Sequence, residues 1–286
     1  MTNTYTEPVT KLLKLGRPAA GPWLDYSTLG ITLEHIPELI LLVEDHDLLR
    51  KMEQPADLPE DEDLPEWYAQ VHAWRALAQL KTEEAIPVIL GILHQFDDGD
   101  NDWIDGDAGE LFALIGPAAI RPLTEYLADD THGLYARTTA VMSLKSIGTT
   151  NPETRGECIQ SLVAVLENYE ENDEKLNGFL VSYLVELKAV ETIALIEKAF
   201  AANRVAEFIV GDFEDVQVEL GLLEARITPR SKVSFLNAPP RAEEPLAGEM
   251  AEPGFAPERK AQKDQAKEKN KRKQEKKSRK KNRKKK

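Results

Sequence analysis

A short helical pattern that recurs five times along the chain constrains its fold more than any other feature. Each copy has a small or polar residue followed by isoleucine, with leucine or isoleucine three positions after that isoleucine. Two mostly apolar residues follow six and seven positions after the same isoleucine. The isoleucines that mark the copies are Ile36, Ile86, Ile120, Ile159 and Ile193. Apolar residues at these spacings cover one face of an α-helix. Because the copies lie 34 to 50 residues apart, they predict a repeat array of paired helices, with an insertion in the longest interval.

Each marked helix is predicted to be the second of a pair, because an amphipathic first helix precedes it in the sequence. In the clearest unit, Trp67 and Trp74 share one helical face with aliphatic residues, so both are interpreted as core residues. His72 follows Val71 and falls off that face, which predicts a histidine in solvent or in a groove. Thr82 comes next and suits the N-cap of the second helix.

Glycine and proline mark the boundaries of other units. The third unit has Gly116-Pro117 between its helices, where glycine ends one helix and proline opens the next. In the fourth unit, Gly148 is predicted to end the first helix, and the second helix is predicted to reach Tyr169. A short amphipathic helix that ends near Gly16 is predicted to cap the N-terminal end of the array.

The charge of the chain divides it into two opposite parts. Residues 259–286 contain 17 lysines and arginines against three acidic residues, a charge of +14, which leaves −28 on the rest within a total of −14. This segment has no aromatic or branched aliphatic residue, so it is predicted to be a disordered tail. The predicted domains are a helical repeat array over 1–227, a proline-rich linker over 228–258 and the Lys/Arg tail over 259–286.

The tail is predicted to bind polyanions, because many cations on one flexible segment release the condensed counterions of a phosphate chain. RNA, ribosomes and DNA are the predicted ligands. Folding of the tail back over the acidic array stays open as the alternative. The candidate polyanion-binding residues are Arg259, Lys260, Lys263, Lys267, Lys269, Lys271, Arg272, Lys273, Lys276, Lys277, Arg279, Lys280, Lys281, Arg283, Lys284, Lys285 and Lys286.

The densest polar cluster of the array surrounds Trp103, which is interpreted as a packing residue. Its members are Asp97, Asp98, Asp100, Asn101, Asp102, Asp105 and Asp107. An EF-hand calcium loop needs glycine at its sixth position and glutamate at its twelfth. A loop that starts at Asn101 has Gly106 sixth but Phe112 twelfth. An acidic loop with helix-capping aspartates is therefore favoured over a metal site.

The remaining residues give no signature of catalysis. The sequence contains no HExxH, P-loop, GxSxG or GxGxxG motif. Its single cysteine, Cys158, occupies a stripe position that is alanine or threonine in other copies, so it is interpreted as a small buried residue. Catalytic, cofactor-binding and metal-binding residues are accordingly predicted to be absent.

The segments AIPVILGIL, AAIRPLTEYL and ETIALIEKAF, together with the Gly-Pro corner, resemble HEAT repeats of the short bacterial lyase type. The resemblance covers about residues 32–200 and implies an α-solenoid of about five helix pairs. Most proteins with such repeats are scaffolds or adaptors, some attach bilins to phycobiliproteins, and others are DNA glycosylases. The layout is also similar to bacterial HEAT-like proteins with a C-terminal cysteine-rich zinc motif, but here a basic tail replaces that motif.

The sequence thus predicts a non-catalytic protein-binding scaffold or adaptor. A protein or peptide is the predicted partner of the solenoid groove, and an acidic surface favours a basic one. The alternative, implied by the resemblance alone, is a bilin lyase or its accessory subunit, and a scaffold whose tail contacts only itself is a third hypothesis. The polar N-terminus and the lack of a long apolar run predict a cytoplasmic protein without a membrane span.

Overall fold

The fold is built from helices throughout the part of the chain that the structure describes. The computed structural model describes residues 4–19, 21–45, 48, 64–98 and 102–229, which belong to one compact unit. Every regular element in these ranges is an α-helix or a 3-10 helix, which confirms the predicted all-α class. Within the same ranges, no helix combines the length and the apolar composition that crossing a bilayer requires.

The α-helices are short to medium in length and are numbered here in chain order. They are α1 (Ile36–Val43), α2 (Ala69–Gln79), α3 (Ala85–Ile92), α4 (His94–Asp98), α5 (Asp102–Ile115), α6 (Ile120–Ala128), α7 (Leu134–Thr150), α8 (Arg155–Leu166), α9 (Glu174–Glu186), α10 (Ile193–Ala201), α11 (Glu207–Val210) and α12 (Phe213–Glu219). The 3-10 helices are Val9–Lys14, Tyr26–Leu29, Leu33–His35, Pro65–Tyr68, Pro117–Ala119, Pro152–Thr154 and Val190–Thr192.

The five marked helices form where the repeat pattern predicts them, as α1, α3, α6, α8 and α10. A 3-10 helix directly precedes all of these except α3, which follows a turn that begins at Thr82. The prediction that Thr82 is the N-cap of α3 is wrong, because α3 begins at Ala85 and Glu84 is its N-cap. The Thr82 hydroxyl instead accepts a hydrogen bond from the backbone N–H of Glu84 at 3.3 Å, within the turn before the helix. At the corner ahead of α6, Gly116 has a φ of 91°, a conformation that glycine adopts without steric cost.

Two predicted boundaries in the fourth unit are wrong. Helix α7 continues through Gly148 to Thr150, and α8 ends at Leu166 rather than at Tyr169. Gly148 is needed for close packing, because a Cβ atom there would lie 3.2 Å from the Cβ of Cys158 on α8. Cys158 is buried, as predicted, and burial raises the pKa of its thiol.

The helices pack in two series that follow the order of the chain. The first helices of successive pairs contact one another from α2 to α5, α5 to α7 and α7 to α9, and α9 then contacts α11. The second helices contact one another from α1 to α3, α3 to α6 and α6 to α8. Apolar side chains between the two series form one continuous core that reaches from the N-terminal segment to α12.

The N-terminal segment covers α2, which is buried on nearly every side. The 3-10 helix Val9–Lys14 contacts α2, and the backbone N–H of Tyr26 donates to the side chain of Gln79 at 3.1 Å. Gln79 in turn donates to the carbonyl of Leu24 at 2.8 Å. At the other end, Arg226 pairs with Asp212, the N-cap of α12, at 2.7 Å and with Asp215 of α12 at 2.6 Å.

Candidate functional site

One face of the second helices is exposed in the same register in every repeat. The positions one and five residues after the marker isoleucine lie on the side of the helix opposite the apolar stripe. Both positions are exposed in all five helices. These residues, called here the second-helix face, are Pro37, Leu41, Pro87, Gly91, Arg121, Glu125, Gln160, Ala164, Ala194 and Lys198.

The second-helix face is low in net charge, although the array and linker together carry −28. Glu125 is its one acidic residue, and Arg121 Nε lies 2.9 Å from the Glu125 carboxylate. Its N-terminal part is apolar, and Leu41 is 53% exposed there. Helix α1 contacts α3, α3 contacts α6 and α6 contacts α8, so the face is continuous from α1 to α8. Depletion of charge and exposure of apolar side chains are typical of the centre of a protein interface.

A polar cleft of about 320 Å³ opens where α6 and α8 end. It is called here the α6–α8 cleft, and its lining residues are Thr124, Ala128, Asp130, Arg137, Ala164, Val165, Asn168, Glu171, Asn172 and Asp173. Ala164 belongs both to this cleft and to the second-helix face, so the two surfaces are continuous. The volume is at the lower end of the range of about 300–1,000 Å³ for pockets that hold small ligands.

The charged groups of the α6–α8 cleft come from separate segments. Arg137 on α7 is half-buried, and its Nε donates to the carbonyl of Leu127 at 2.9 Å. Burial lowers the pKa of this guanidinium, while nearby Asp130 raises it. Asp173 caps α9 by accepting from the backbone N–H of Lys175 at 2.7 Å.

A second cleft of about 290 Å³ shares Asp173 with the α6–α8 cleft. Its lining residues are Asp173, Glu174, Lys175, Arg204, Ala206 and Phe208. Arg204 is held in place by Glu174, at 3.0 Å, and by the carbonyl of Asn172, at 2.6 Å. Asn172 also lines the α6–α8 cleft, so one loop shapes both clefts.

The polar residues of α2 form a buried network instead of a groove. His72 is 4% exposed, so the prediction of a solvent-facing or groove-facing histidine is wrong. Its Nδ1 lies 2.7 Å from the Tyr26 hydroxyl and its Nε2 lies 2.9 Å from the carbonyl oxygen of Gly16. The N-terminal segment therefore covers the face of α2 that the sequence pattern left open. Burial lowers the pKa of His72 and raises the pKa of Tyr26.

An ion pair connects this network to α5. Arg75 Nε and Nη2 donate to the two carboxylate oxygens of Asp107 at 2.6 and 2.7 Å. The indole N–H of Trp74 donates to the same carboxylate at 2.8 Å. The Arg75 guanidinium also lies over the rings of Trp23 and Trp103, with its carbon 4.9 and 5.6 Å from the ring centroids. These groups hold one another in place, so their arrangement positions α2, α5 and the N-terminal segment.

The acidic cluster around Trp103 separates into residues with individual structural contacts. Asp97 caps α7, because its carboxylate accepts from the backbone N–H groups of Tyr135 and Ala136 at 2.8 Å each. Asp107 is the partner of Arg75. Asp100 and Asn101, and the side chains of Asp98 and Asp102, lie outside the described residues. Within the described part of the chain, no group of three or more His, Cys, Asp or Glu residues is placed to hold a metal ion.

The sequence-predicted polyanion site is not part of the described structure. All seventeen lysines and arginines from Arg259 to Lys286 lie outside the described residues. The second-helix face and the α6–α8 cleft, in turn, were not predicted from the sequence. The repeat register contained the signal for the face, since its positions follow from the marker isoleucines. The cleft had no such signal, because its walls come from loops after two different helices.

Comparison with known proteins gives a family. A family model described as "Protein of unknown function (DUF1186)" matches residues 34–230, which include all five marked helices. No curated protein and no solved structure matches the chain.

Proposed function

We propose that this chain, which belongs to the DUF1186 family, is a non-catalytic protein-binding scaffold or adaptor built as an α-solenoid of HEAT-like helix pairs. The observation that carries the proposal is the second-helix face, which repeats two exposed positions in each of five helices. A surface that repeats along an array suits an extended partner, because each repeat adds a similar contact.

The solenoid part of the proposal rests on the order of the helix contacts. First helices contact first helices in chain order from α2 to α9, and second helices contact second helices in chain order from α1 to α8. Stacked helix pairs of a HEAT-like array produce this order, since each unit buries its apolar face only against its neighbours. The N-terminal segment over α2 and the α12 region then act as the two caps.

Recognition by this face needs no prior ordering of the receptor. Apolar positions at Leu41 and Pro87 supply contact area, and the Arg121–Glu125 pair lies at the middle of the face. A preformed surface avoids the entropic cost of ordering on binding. The scaffold therefore binds its partner protein through shape complementarity and apolar contacts on this face.

The first test places a charge on the face without disturbing the core. We expect Leu41→Glu to lose the bound proteins that the wild-type chain retains, because a carboxylate would be buried in the contact. Leu41 is 53% exposed, so the free energy of unfolding should change by less than about 0.5 kcal/mol. The measurement is affinity capture with quantitative mass spectrometry, together with thermal unfolding of each variant.

Leu222→Glu is the matched control. Leu222 is 47% exposed and lies after α12, outside the five helices that carry the second-helix face. Proteins that bind through the face are retained by this control and lost from Leu41→Glu. Equal retention of every protein by both variants would contradict a docking role for the face.

We further propose that the Lys/Arg tail tethers the scaffold to nucleic acid or ribosomes. The support is its charge of +14 within 28 residues, which is enough for strong counterion release. A tether raises the effective concentration of the array near a second partner.

The tail proposal predicts a change in salt dependence. The full-length variant with Lys280→Gln, Lys281→Gln, Lys284→Gln, Lys285→Gln and Lys286→Gln should bind single-stranded RNA with a shallower slope of log K against log salt. The slope should fall by up to about 3.5, at roughly 0.7 for each lost phosphate contact. Fluorescence anisotropy with a labelled oligouridine at several salt concentrations measures it. Lys14→Gln with Lys198→Gln serves as the control, and an equal change in slope for control and tail variant would argue against the tether.

A further inference from the structure

We infer that the α6–α8 cleft is a binding site for an extended peptide segment that carries a lysine or arginine. This inference rests on the proposed function, since it names the chemistry of a partner that also contacts the second-helix face.

The rim of the cleft attracts a cation. Asp130 follows α6, whereas Glu171 and Asp173 belong to the loop between α8 and α9, so carboxylates from two separate loops converge on one opening. Asp130 and Glu171 are exposed, and among the described residues neither forms an ion pair. Against three carboxylates the lining has one cation, Arg137. A basic side chain in this opening is attracted by the carboxylates of both loops.

Arg137, in the wall of the cleft, offers hydrogen-bond donors to a ligand. The Arg137 guanidinium is half-buried, and only its Nε has a hydrogen-bond partner among the described residues, the carbonyl of Leu127. A guanidinium has five N–H donors, and the remaining ones bind carbonyl or carboxylate oxygens best. The side-chain amide of Asn168 and the hydroxyl of Thr124 also line the cleft. A ligand that fits therefore presents an acceptor oxygen to the wall and a cation to the rim.

A basic residue within a peptide combines these two groups. Its backbone carbonyl accepts from Arg137, and its side chain extends to Asp130 and Glu171. Nucleic acid is disfavoured here, because its phosphates would meet three carboxylates. Ala164, which belongs to the cleft and to the second-helix face, gives the peptide a path from one surface to the other.

The test compares two full-length variants that lose the same charge. Asp130→Asn with Glu171→Gln removes the rim carboxylates, and Glu153→Gln with Glu157→Gln removes two exposed carboxylates at the opposite end of α8. The probe is a labelled ten-residue peptide of alternating lysine and glycine, measured by anisotropy. We expect the rim variant to bind roughly 5-fold more weakly than wild type, since exposed ion pairs contribute modestly, and the control to bind within about 2-fold.

Cross-linking locates the bound peptide. A carbodiimide joins a lysine of the probe to a carboxylate that it contacts, and mass spectrometry identifies the modified residue. The inference expects cross-links at Asp130, Glu171 or Asp173. Cross-links spread over the exposed carboxylates of the array, or equal loss of affinity in rim variant and control, would overturn it, and so would equal binding of free arginine and the peptide.

The outcomes separate this inference from the proposed function. If the rim variant binds the probe as well as wild type while Leu41→Glu still loses its partners, the cleft assignment fails and the scaffold proposal stands. If Leu41→Glu keeps all partners, the second-helix face is not the interface, whatever the rim variant shows.

Discussion

Replacing Asp107 by leucine is expected to lower the free energy of unfolding by about 3 to 5 kcal/mol, because it leaves the Arg75 guanidinium buried without its counter-ion. Both side chains of the pair are 7% exposed, and Arg75 donates to both oxygens of the carboxylate. The substitution also removes the acceptor of the Trp74 indole N–H. Urea denaturation followed by circular dichroism measures the loss.

A double variant separates the buried charge from the packing around it. Arg75→Leu combined with Asp107→Leu removes both charges, so it should recover much of the stability that Asp107→Leu alone loses. The exposed pair provides a comparison, since Arg121→Leu breaks a contact whose side chains are 86% and 64% exposed and should cost less than about 1 kcal/mol. If Asp107→Leu lowered the free energy of unfolding by as little as Arg121→Leu does, the Arg75–Asp107 pair would be accessible to water.

The second helices could be predicted from the sequence because their apolar spacing is a local signal. The marker isoleucines begin α1, α6 and α10 directly, and the Gly116-Pro117 corner lies between helices as expected. The same register fixes the exposed positions one and five residues later. The second-helix face therefore follows from the sequence once the register is known, although the pattern alone does not say what binds there.

The buried network of α2 could not be predicted in this way, because its contacts come from distant parts of the chain. His72 reads as a surface residue by helical periodicity, yet the carbonyl of Gly16 and the hydroxyl of Tyr26 lie against it. Arg75 and Asp107 are 32 residues apart, and nothing local links them. The cost of burying such groups is offset only when these partners meet in the folded chain. Tertiary contact decides the burial here.

The α6–α8 cleft shows the same limit at a candidate site. Its carboxylates lie in segments that read as ordinary acidic loops, and an acidic array contains many of these. Asp130, Arg137 and Glu171 reach one opening because α6 and α8 pack against each other and both pack against α7, which carries Arg137. A buried asparagine, Asn177, fixes the loop that forms part of it.

Asn177 on α9 joins three segments through hydrogen bonds. Its side chain is fully buried. Its Nδ2 donates to the carbonyls of Tyr169 and Arg204 at 2.9 and 2.7 Å. Its Oδ1 accepts from the Asn172 side chain at 3.0 Å. Since Asn172 lines the α6–α8 cleft and Arg204 lines the second cleft, one side chain sets the shape of both.

We expect Asn177→Leu to lower the free energy of unfolding by about 3 kcal/mol, because an apolar side chain of similar size leaves buried polar groups without a partner. Binding of the lysine probe should weaken as well, because the 167–173 loop loses its hydrogen bonds to the Asn177 side chain. Asn168→Leu is the control in the same loop: Asn168 is exposed, so its change should stay within about 0.5 kcal/mol. Urea denaturation of both variants gives the change in stability, and probe anisotropy of Asn177→Leu gives the change in affinity, since Asn168 itself lines the cleft. An Asn177→Leu variant that loses stability but keeps full affinity for the lysine probe would place the peptide somewhere other than this cleft.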